Sequence, residues 1–455
     1  MDTTALAWFF GLLLPPLVAV LYSIAMLSMY AGFCEWTVSE KLPSLAWRLG
    51  LLGGAAAITY SDRYATTHGS NISETSRMEI SMMVIESALI WVLSFYFLLE
   101  TRLEDIVGGT DPNGRVPKDC IKGKIVLVTG ANAGIGKETA RQLANLGAAK
   151  VILACRSPKR GQDAMEELRK NQQEDTMKLS QLMVLECDLG SFDSIRKAVD
   201  FLKGRQLEDI PKIDVLILNA GVMMNDHVMT KDGCETMMQA NLLGHYLLTR
   251  MLLAKNMLKP NKKNPPRVLH LSSSTYQIAV SHHGGMDMDD LFCNKGKRQY
   301  SLFGQYAQSK LGNILFAKEL ARRYKDKLVS LAVHPGLVRT DVTRNMPFIL
   351  YYGNLACAIF MKQLQKTVAQ GAWCSVSGAT ISVDAGLMST HELDTPESGT
   401  AEPEDSTDKE EPKGIPNGSY LQNGKVRQTD TYTYLEADAR KLWDLSEKIV
   451  GLEQE

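Results

Sequence analysis

The chain has no CxxC pair and no Cys/His spacing that would hold zinc, although eight cysteines are scattered through its 455 residues. That excludes a disulfide framework and fits a reducing compartment. It also lacks a charge surplus. Fifty Lys+Arg against 51 Asp+Glu leave a net charge of −1, so there is no basic stripe for a nucleic acid to read. Apolar residues make up 45% and charged residues 22%, which excludes a wholly disordered or collagen-like chain. The length fits about three domain-sized units, or one large α/β domain with additions.

Charge is missing most conspicuously from residues 7–34, which contain none. That run is long enough to cross a bilayer even with Pro15 and Pro16 inside it. No basic region precedes it and it exceeds the apolar core of a signal peptide, which favours an uncleaved anchor. Residues 80–99 form a second candidate span with Glu86 as its only charge, near one end of the run. Residues 44–60 are a weaker candidate, interrupted by Arg48. Two spans would place both chain ends on one side, and the mixed charges of the flanks assign no orientation. Asn71-Ile72-Ser73 between the spans is a glycosylation tripeptide, equally readable as an unused one. The expected layout starts with a membrane region over residues 1–105 and a polar linker over 106–122.

From residue 123 to 387 the pattern changes to β/α alternation. Apolar runs at 124–130, 150–156, 181–188, 214–221, 267–274 and 329–336 alternate with helical stretches. Uninterrupted apolar strands between helices indicate a doubly wound parallel sheet covered on both faces, the Rossmann arrangement of an α/β protein. Residues 388–417 are acidic and rich in Pro, Ser, Thr and Gly, and read as a disordered insert. Residues 418–455 read as a strand and a helix that complete the domain. Together this predicts an α/β catalytic domain behind an N-terminal α-helical membrane segment.

The first strand runs into Gly130-Ala131-Asn132-Ala133-Gly134-Ile135-Gly136-Lys137. Glycines between a strand and a helix allow a tight turn and let backbone N–H groups approach a pyrophosphate. A generic strand-to-helix turn is the bland alternative, but the strand–helix–strand context is what the mechanism requires. An NAD site places an acid about 20 residues further on. This chain has Arg156 there, which can pair with a 2′-phosphate, with Lys137 as a second cation. Either could equally be a solvated surface charge. The expectation is NADP(H) ahead of NAD(H).

Thr129-Gly130-xxx-Gly134-Ile135-Gly136, Asn219-Ala220-Gly221, Asn241, the serines at the end of the fifth strand, Tyr306-xxx-Lys310 and Pro335-Gly336 stand in the order of the short-chain dehydrogenase/reductase superfamily. The chain resembles that superfamily over residues 122–387. Residues 154–156 (ACR), 241–249 (NLLGHYLLT) and 306–316 (YAQSKLGNILF) resemble its membrane-associated, retinol-dehydrogenase-like branch. Residues 219–224 (NAGVMM), 288–291 (MDDL) and 371–373 (GAW) are most similar to the X-linked dehydrogenase/reductase group of that branch. The resemblance implies a membrane-anchored oxidoreductase of the endoplasmic reticulum or a related internal membrane, multi-pass, with a cytosolic catalytic domain. It implies a lipophilic alcohol, aldehyde or ketone as substrate, of polyprenol, dolichal, retinoid or steroid type, and leaves a homodimer open. A scaffold that binds cofactor without turnover is the alternative. The presence of both Tyr306 and Lys310 weighs against it.

Hydride transfer to or from a carbinol carbon needs a group that moves the hydroxyl proton. Tyr306 is the candidate; Lys310, four residues on, lies on the same helical face, where its charge favours the phenolate. Ser273 aligns with the family's substrate-polarising serine, flanked by Ser272 and Ser274. By resemblance, Asn241 enters the proton relay near Lys310 and Asn219 steadies the strand end under the cofactor. Likewise Asp188 contacts adenine, while Pro335, Gly336 and Thr340 face the nicotinamide, and Asn132 and Ile135 belong to the pyrophosphate turn. His282, His283, Asp287, Asp289 and Asp290 lack the spacing of a metal site, and none is assigned. They read as part of a loop over the site. The uncharged segment 346–361 either buries against the sheet or forms an apolar lid at the membrane.

The apolar segments are the strongest anchors in the chain. Removing residues 1–105 is expected to leave NADPH binding intact and to abolish membrane association after a carbonate wash, as read by flotation. A truncated form that stays embedded would place the membrane domain elsewhere.

Overall fold

The computed structural model describes residues 120–170, 181–206, 209–296, 298–336, 338, 366–388, 414–422, 424–427, 429 and 436–452, with the backbone alone for 282 and 384–388. The chain divides into two units at Gly108/Gly109, and every described residue belongs to the second. The segments 7–34, 44–60 and 80–99, Asn71, the linker up to residue 119, Thr340, the segment 346–361 and most of the polar tract lie outside the described residues. Among the described residues no helix is long and apolar enough to cross a membrane.

Six strands alternate with helices in chain order: β1 (Ile125–Thr129), α1 (Gly134–Asn145), β2 (Lys150–Cys155), α2 (Pro158–Lys170), β3 (Gln181–Glu186), α3 (Phe192–Gly204) and β4 (Val215–Leu218). Then come a π-turn (Gln239–Leu243), α4 (Gly244–Ala254), β5 (Arg267–Leu271), α5 (Tyr276–His283), α6 (Leu302–Tyr324) and β6 (Val329–His334). After these, α7 (Val368–Thr380) is followed by β7 (Val383–Met388), β8 (Ile415–Asn417), β9 (Tyr420–Gln422), β10 (Lys425–Arg427) and α8 (Glu436–Val450). The main sheet has the order β3-β2-β1-β4-β5-β6-β9-β10. It is parallel from β3 to β9, and β10 closes an antiparallel hairpin with β9. Strand order reverses between β1 and β4, and there a doubly wound sheet opens its ligand crevice.

Each strand's period of two divides the core. Leu127, Ile152 and Leu216 join one cluster with residues of α3, α4, α6 and α8. Val126, Val128, Val151 and Ile217 join the other with α1, α2 and α7. The buried apolar runs expected to form strands do so because both faces are covered. Ser191 caps α3 by accepting the Ser194 N–H at 3.2 Å, the usual way a helix start satisfies an orphan donor.

Three boundaries differ from the sequence expectation. Ile121 is fully buried in the second core cluster, so the domain begins inside the stretch read as linker. Residues 415–417, read as the end of a disordered insert, form β8 and pair with β7. Asn417 is the reason: its amide donates to the Lys325 and Leu328 carbonyls and its oxygen accepts the Ser330 N–H. Residues 276–283, read as loop, form α5, closed by Gly284 in the left-handed region.

Helix α8 buries Ala439, Leu442, Trp443, Ser446 and Val450 at helical spacing. Trp443 meets Tyr246 and Phe316 edge-on at 5.1 and 5.7 Å. The Arg250 and Arg323 guanidinium carbons lie 4.9 and 4.5 Å from its ring centroid. Trp443→Ala removes this anchor and is expected to cost about 3–5 kcal/mol in urea unfolding. A loss below about 1 kcal/mol would show that α8 contributes little to the fold.

Candidate active site

The crevice is built where β1, β4 and β5 end. Leaving β1, the chain turns at Gly130, whose φ is +65°, and at Gly134, whose φ is +53°. A Cβ on Gly136 would lie 2.4 Å from Asn219 Nδ2 and 2.5 Å from the Gly130 carbonyl oxygen. Helix α1 therefore begins in contact with the strand ends. Its N-cap residue, Ala133, offers no side-chain cap and its first turn holds no acid, so the first N–H groups and the positive dipole end suit an anion. Asn132 and Ile135 lie half-buried in the same turn.

Asn219 stands at the end of β4, and its amide donates to the Thr129 carbonyl at 2.8 Å. The N–H groups of Asn219 and Ala220 both donate to Thr129 Oγ1, at 2.9 and 3.0 Å. Arg156 follows β2, exposed, with no acid paired to it among the described residues. Lys137 is paired on the surface: Glu167 on α2 holds its ammonium with both carboxylate oxygens at 2.8 Å. Asp188 accepts the Gly190 N–H at 3.0 Å in a tight turn after β3. Gly336 follows Pro335 at the end of β6 with φ +84°, packed on the buried Lys366.

The proton-transfer side rests on α6, capped by Ser301, which accepts the Gly304 N–H at 3.1 Å. Tyr306 and Lys310 occupy one face, with the ammonium 5.3 Å from the ring centroid. Lys310 is 3% exposed and donates to the Leu271 carbonyl at 2.9 Å. Asn313 donates to the same oxygen at 3.0 Å. The three serines after β5 separate by environment. Ser272 is buried and donates to the Lys310 carbonyl at 2.8 Å. Ser273 is half-buried, its hydroxyl accepting, among the described residues, a long 3.3 Å bond from the Thr275 N–H. Ser274 is half-buried in the turn that starts α5.

Asn241 sits in the π-turn and is fully buried. Its side chain accepts the Val222 N–H at 2.8 Å and donates to the Val222 carbonyl at 3.0 Å and to Ser309 Oγ at 3.1 Å. Asn241 thus joins the loop after β4 to the residue before Lys310. Single-turn π-segments inside α-helices often mark functional sites. Added to Gly221, a Cβ would lie 3.5 Å from both Asn241 Oδ1 and Lys310 Nζ, so the loop after β4, the π-turn and α6 meet at this point.

At the site, burial governs the titrations of Tyr306, Lys310 and His334. It pushes the Tyr306 phenol up and the Lys310 ammonium down to about 8. His334 is held near 3 by burial, with Lys366 and Lys310 adding repulsion.

Sequence reasoning missed the tie from Ser272 to α6, the support Asn313 gives Leu271, the pairing of Lys137 with Glu167 and the hub at Thr129. A threonine closing an apolar strand was the one visible signal. Asp287 pairs with Arg298 at 3.2 Å. Asp290 accepts the Asn294 and Lys295 N–H groups, so both carboxylates order the loop before α6.

A family model described as short chain dehydrogenase matches residues 124–283. Retinol dehydrogenase 12 of Mus musculus is 41% identical over 257 residues, 56% of this chain and 73% of that protein. Human retinol dehydrogenase 14 is 33% identical over 363 residues, covering 77% of this chain and 91% of the relative. Human retinol dehydrogenase 11 is 34% identical over 333 residues, 73% of this chain and 87% of the relative.

Replacing Lys310 by Met separates activity from stability. The Leu271 carbonyl keeps its bond from Asn313, and a desolvated cation disappears. Turnover is expected to fall at least 10²-fold, while the folded state is at least as stable at pH 7. In the parent, the folded state releases this proton near 8 and the unfolded chain near 10.5. Parent stability therefore rises with pH across that window, and the variant lacks the rise. Urea unfolding at about pH 7 and pH 10 reads both effects; a variant clearly less stable at pH 7 would contradict the burial argument.

Proposed function

Because the chain belongs to the short-chain dehydrogenase family, in its retinol-dehydrogenase-like branch, and is an NAD(P)-dependent oxidoreductase, we propose that it exchanges a hydride between NADP(H) and a lipophilic alcohol or aldehyde at a membrane. The retinol dehydrogenases it resembles support a retinoid-type substrate, and long isoprenoid alcohols and aldehydes are the second substrate type in this proposal. The observation that carries the reading is the convergence of Tyr306, Lys310, Ser273 and Asn241 on the carboxyl edge of the sheet, beside the open start of α1.

The bound nicotinamide supplies the hydride donor or acceptor. The protein's part is to bind, orient and move one proton. Ser273 Oγ donates to the substrate oxygen, and the Tyr306 hydroxyl gives its proton to that oxygen on reduction or recovers it on oxidation. Lys310, positive below about pH 8, stabilises the phenolate left after the proton has gone. Asn241 holds the loop after Gly221 against the Lys310 helix. Gly130, Asn132, Gly134, Ile135 and Gly136 form the pyrophosphate turn; Asp188 contacts the adenine and Asn219 steadies the strand end under the cofactor; Pro335, Gly336 and Thr340 face the nicotinamide half. The exposed Arg156 takes the 2′-phosphate, with Lys137, paired with Glu167 on the surface, as the second cation. The segments 7–34 and 80–99 anchor the enzyme to the endoplasmic reticulum or a related internal membrane, and the segment 346–361 forms the lid through which a lipid enters.

The test is turnover of purified full-length protein with NADPH and NADH against retinal, a steroid ketone and dolichal, with Tyr306→Phe as the control that keeps the ring and loses the proton. Activity of Tyr306→Phe equal to the parent's would defeat the mechanism. Arg156→Asp is expected to move the ratio of kcat/KM for NADPH over NADH towards NADH by at least tenfold, because the carboxylate repels the 2′-phosphate and accepts from a free 2′-OH. A parent enzyme that already prefers NADH would overturn the role of Arg156.

A further inference from the structure

His245 lies one turn beyond Asn241 on α4, 1% exposed. Its Nε2 is 2.9 Å from Thr129 Oγ1, and its Nδ1 is 3.1 Å from the Asn241 carbonyl oxygen. The imidazole thus spans the dinucleotide turn at the end of β1 and the π-turn that holds Asn241. Neither the hydride chemistry nor the cofactor contacts described above use it.

The partners dictate its protonation. Thr129 Oγ1 already accepts two N–H groups, from Asn219 and Ala220, so both its lone pairs are occupied. Its own hydrogen has two acceptors in reach, the Ile217 carbonyl at 3.4 Å and His245 Nε2 at 2.9 Å. An Nε2–H would be a third donor aimed at a saturated oxygen. A bare Nδ1 would set a lone pair against the Asn241 carbonyl. Only the neutral ring with hydrogen on Nδ1 satisfies every group: Thr129 donates to Nε2, and Nδ1–H donates to the Asn241 carbonyl. Burial, with the nearby Lys310, holds the ring's pKa near 3 against the opposing pull of the bond to the Asn241 carbonyl. The second titratable neighbour, His270, is also kept neutral by burial.

We propose that His245 is a positioning residue, a neutral Nδ1–H imidazole that couples the cofactor turn to the proton-transfer half of the site through Thr129 and Asn241. The chain runs from the Asn219 and Ala220 N–H groups through Thr129 and His245 to the Asn241 backbone. From there the Asn241 side chain reaches Val222 and Ser309, next to Lys310. Without the imidazole, nicotinamide and Tyr306 rest on elements that have lost one direct tie between them, while Asn219 still joins β4 to Thr129 and Asn241 still joins Val222 to Ser309. Misplacement of about 1 Å is enough to cost about 10²-fold in rate. The inference rests on the dehydrogenase reading for its kinetic arm only.

Two measurements test it. In full-length protein in detergent, ¹⁵N-histidine NMR, assigned by the signal lost in His245→Asn, should show a protonated Nδ1 and a bare Nε2, unchanged between about pH 5.5 and 8. An Nε2–H tautomer, or titration near the ordinary value of about 6.5, would overturn the proposal. In kinetics, His245→Leu should lower kcat at least tenfold while the Kd for NADPH, read by fluorescence, changes less than threefold. Thr129→Val combined with His245→Leu should be no slower than the slower single variant, because both cut one chain. His245→Asn, which keeps an N–H for the Asn241 carbonyl, should recover part of the loss. Unchanged kcat in folded His245→Leu, or fully additive losses, would overturn it. A parent enzyme inactive on every alcohol and aldehyde would instead defeat the dehydrogenase reading, and the NMR arm would still decide the tautomer.

Discussion

At Gly136 the structure has no room for a methyl group. A Cβ there would fall within 2.5 Å of the Gly130 carbonyl oxygen and of the Asn219 amide. That closeness fixes where α1 starts, and with it where a row of unpaired N–H groups points. It also brings Asn219 near enough to hold the Thr129 carbonyl, which fastens β4 to β1 at the point where strand order reverses. The crevice then has walls of set separation. Tyr306 and Lys310, contributed by a helix more than 150 residues along, meet that crevice because α6 packs beside β5 and β6.

Much of this was readable from residues alone, for a physical reason. A strand buried on both faces must be apolar throughout, so β1, β2, β4, β5 and β6 announce themselves, and glycines at a strand-to-helix turn have few other uses. The dinucleotide turn, the Tyr306–Lys310 spacing and the lack of an acid after β2 were legible on the same grounds. What was hidden depends on tertiary pairing. Ile415-Pro416-Asn417 looks like the end of a polar tract until Asn417 is seen meeting backbone groups on either side of the start of β6. Lys137 looks like an unpaired surface charge until Glu167 arrives from the next helix. Ser272, Ser273 and Ser274 are alike in sequence and differ only in which one turns inward to α6. Nothing in the spacing announced the π-turn, because it inserts one residue into an otherwise ordinary helical pattern.

The site also shows where stability and chemistry oppose each other. Lys310 is enclosed at 3% exposure with a carbonyl for company and no carboxylate among its hydrogen-bond partners in the described residues. A hydrophobic residue of similar volume would suit the fold as well or better. The surroundings fix where that charge sits: Asn313 shares the Leu271 carbonyl, Ser272 holds the helix backbone at Lys310 itself, and Asn241 ties in the residue before it. Such supporting bonds belong to side chains that touch no reacting atom, yet they determine how far the phenol and the ammonium can drift.

The topology has a temporal side as well. Strand β9 completes the sheet beside β6, but residues 335–419 lie between them in the chain. During synthesis from the amino end, β6 has an unpaired edge until β9 has left the ribosome, and the face of α4 and α6 that receives Trp443 stays bare longer still. At about 5–20 residues per second, that interval lasts several seconds or more. An open edge and an uncovered apolar face are what chaperones bind and what aggregation exploits. A ribosome stalled between β6 and β9 would therefore carry a chain whose dinucleotide turn and Tyr306–Lys310 pair have both been made, on a sheet still open at one side.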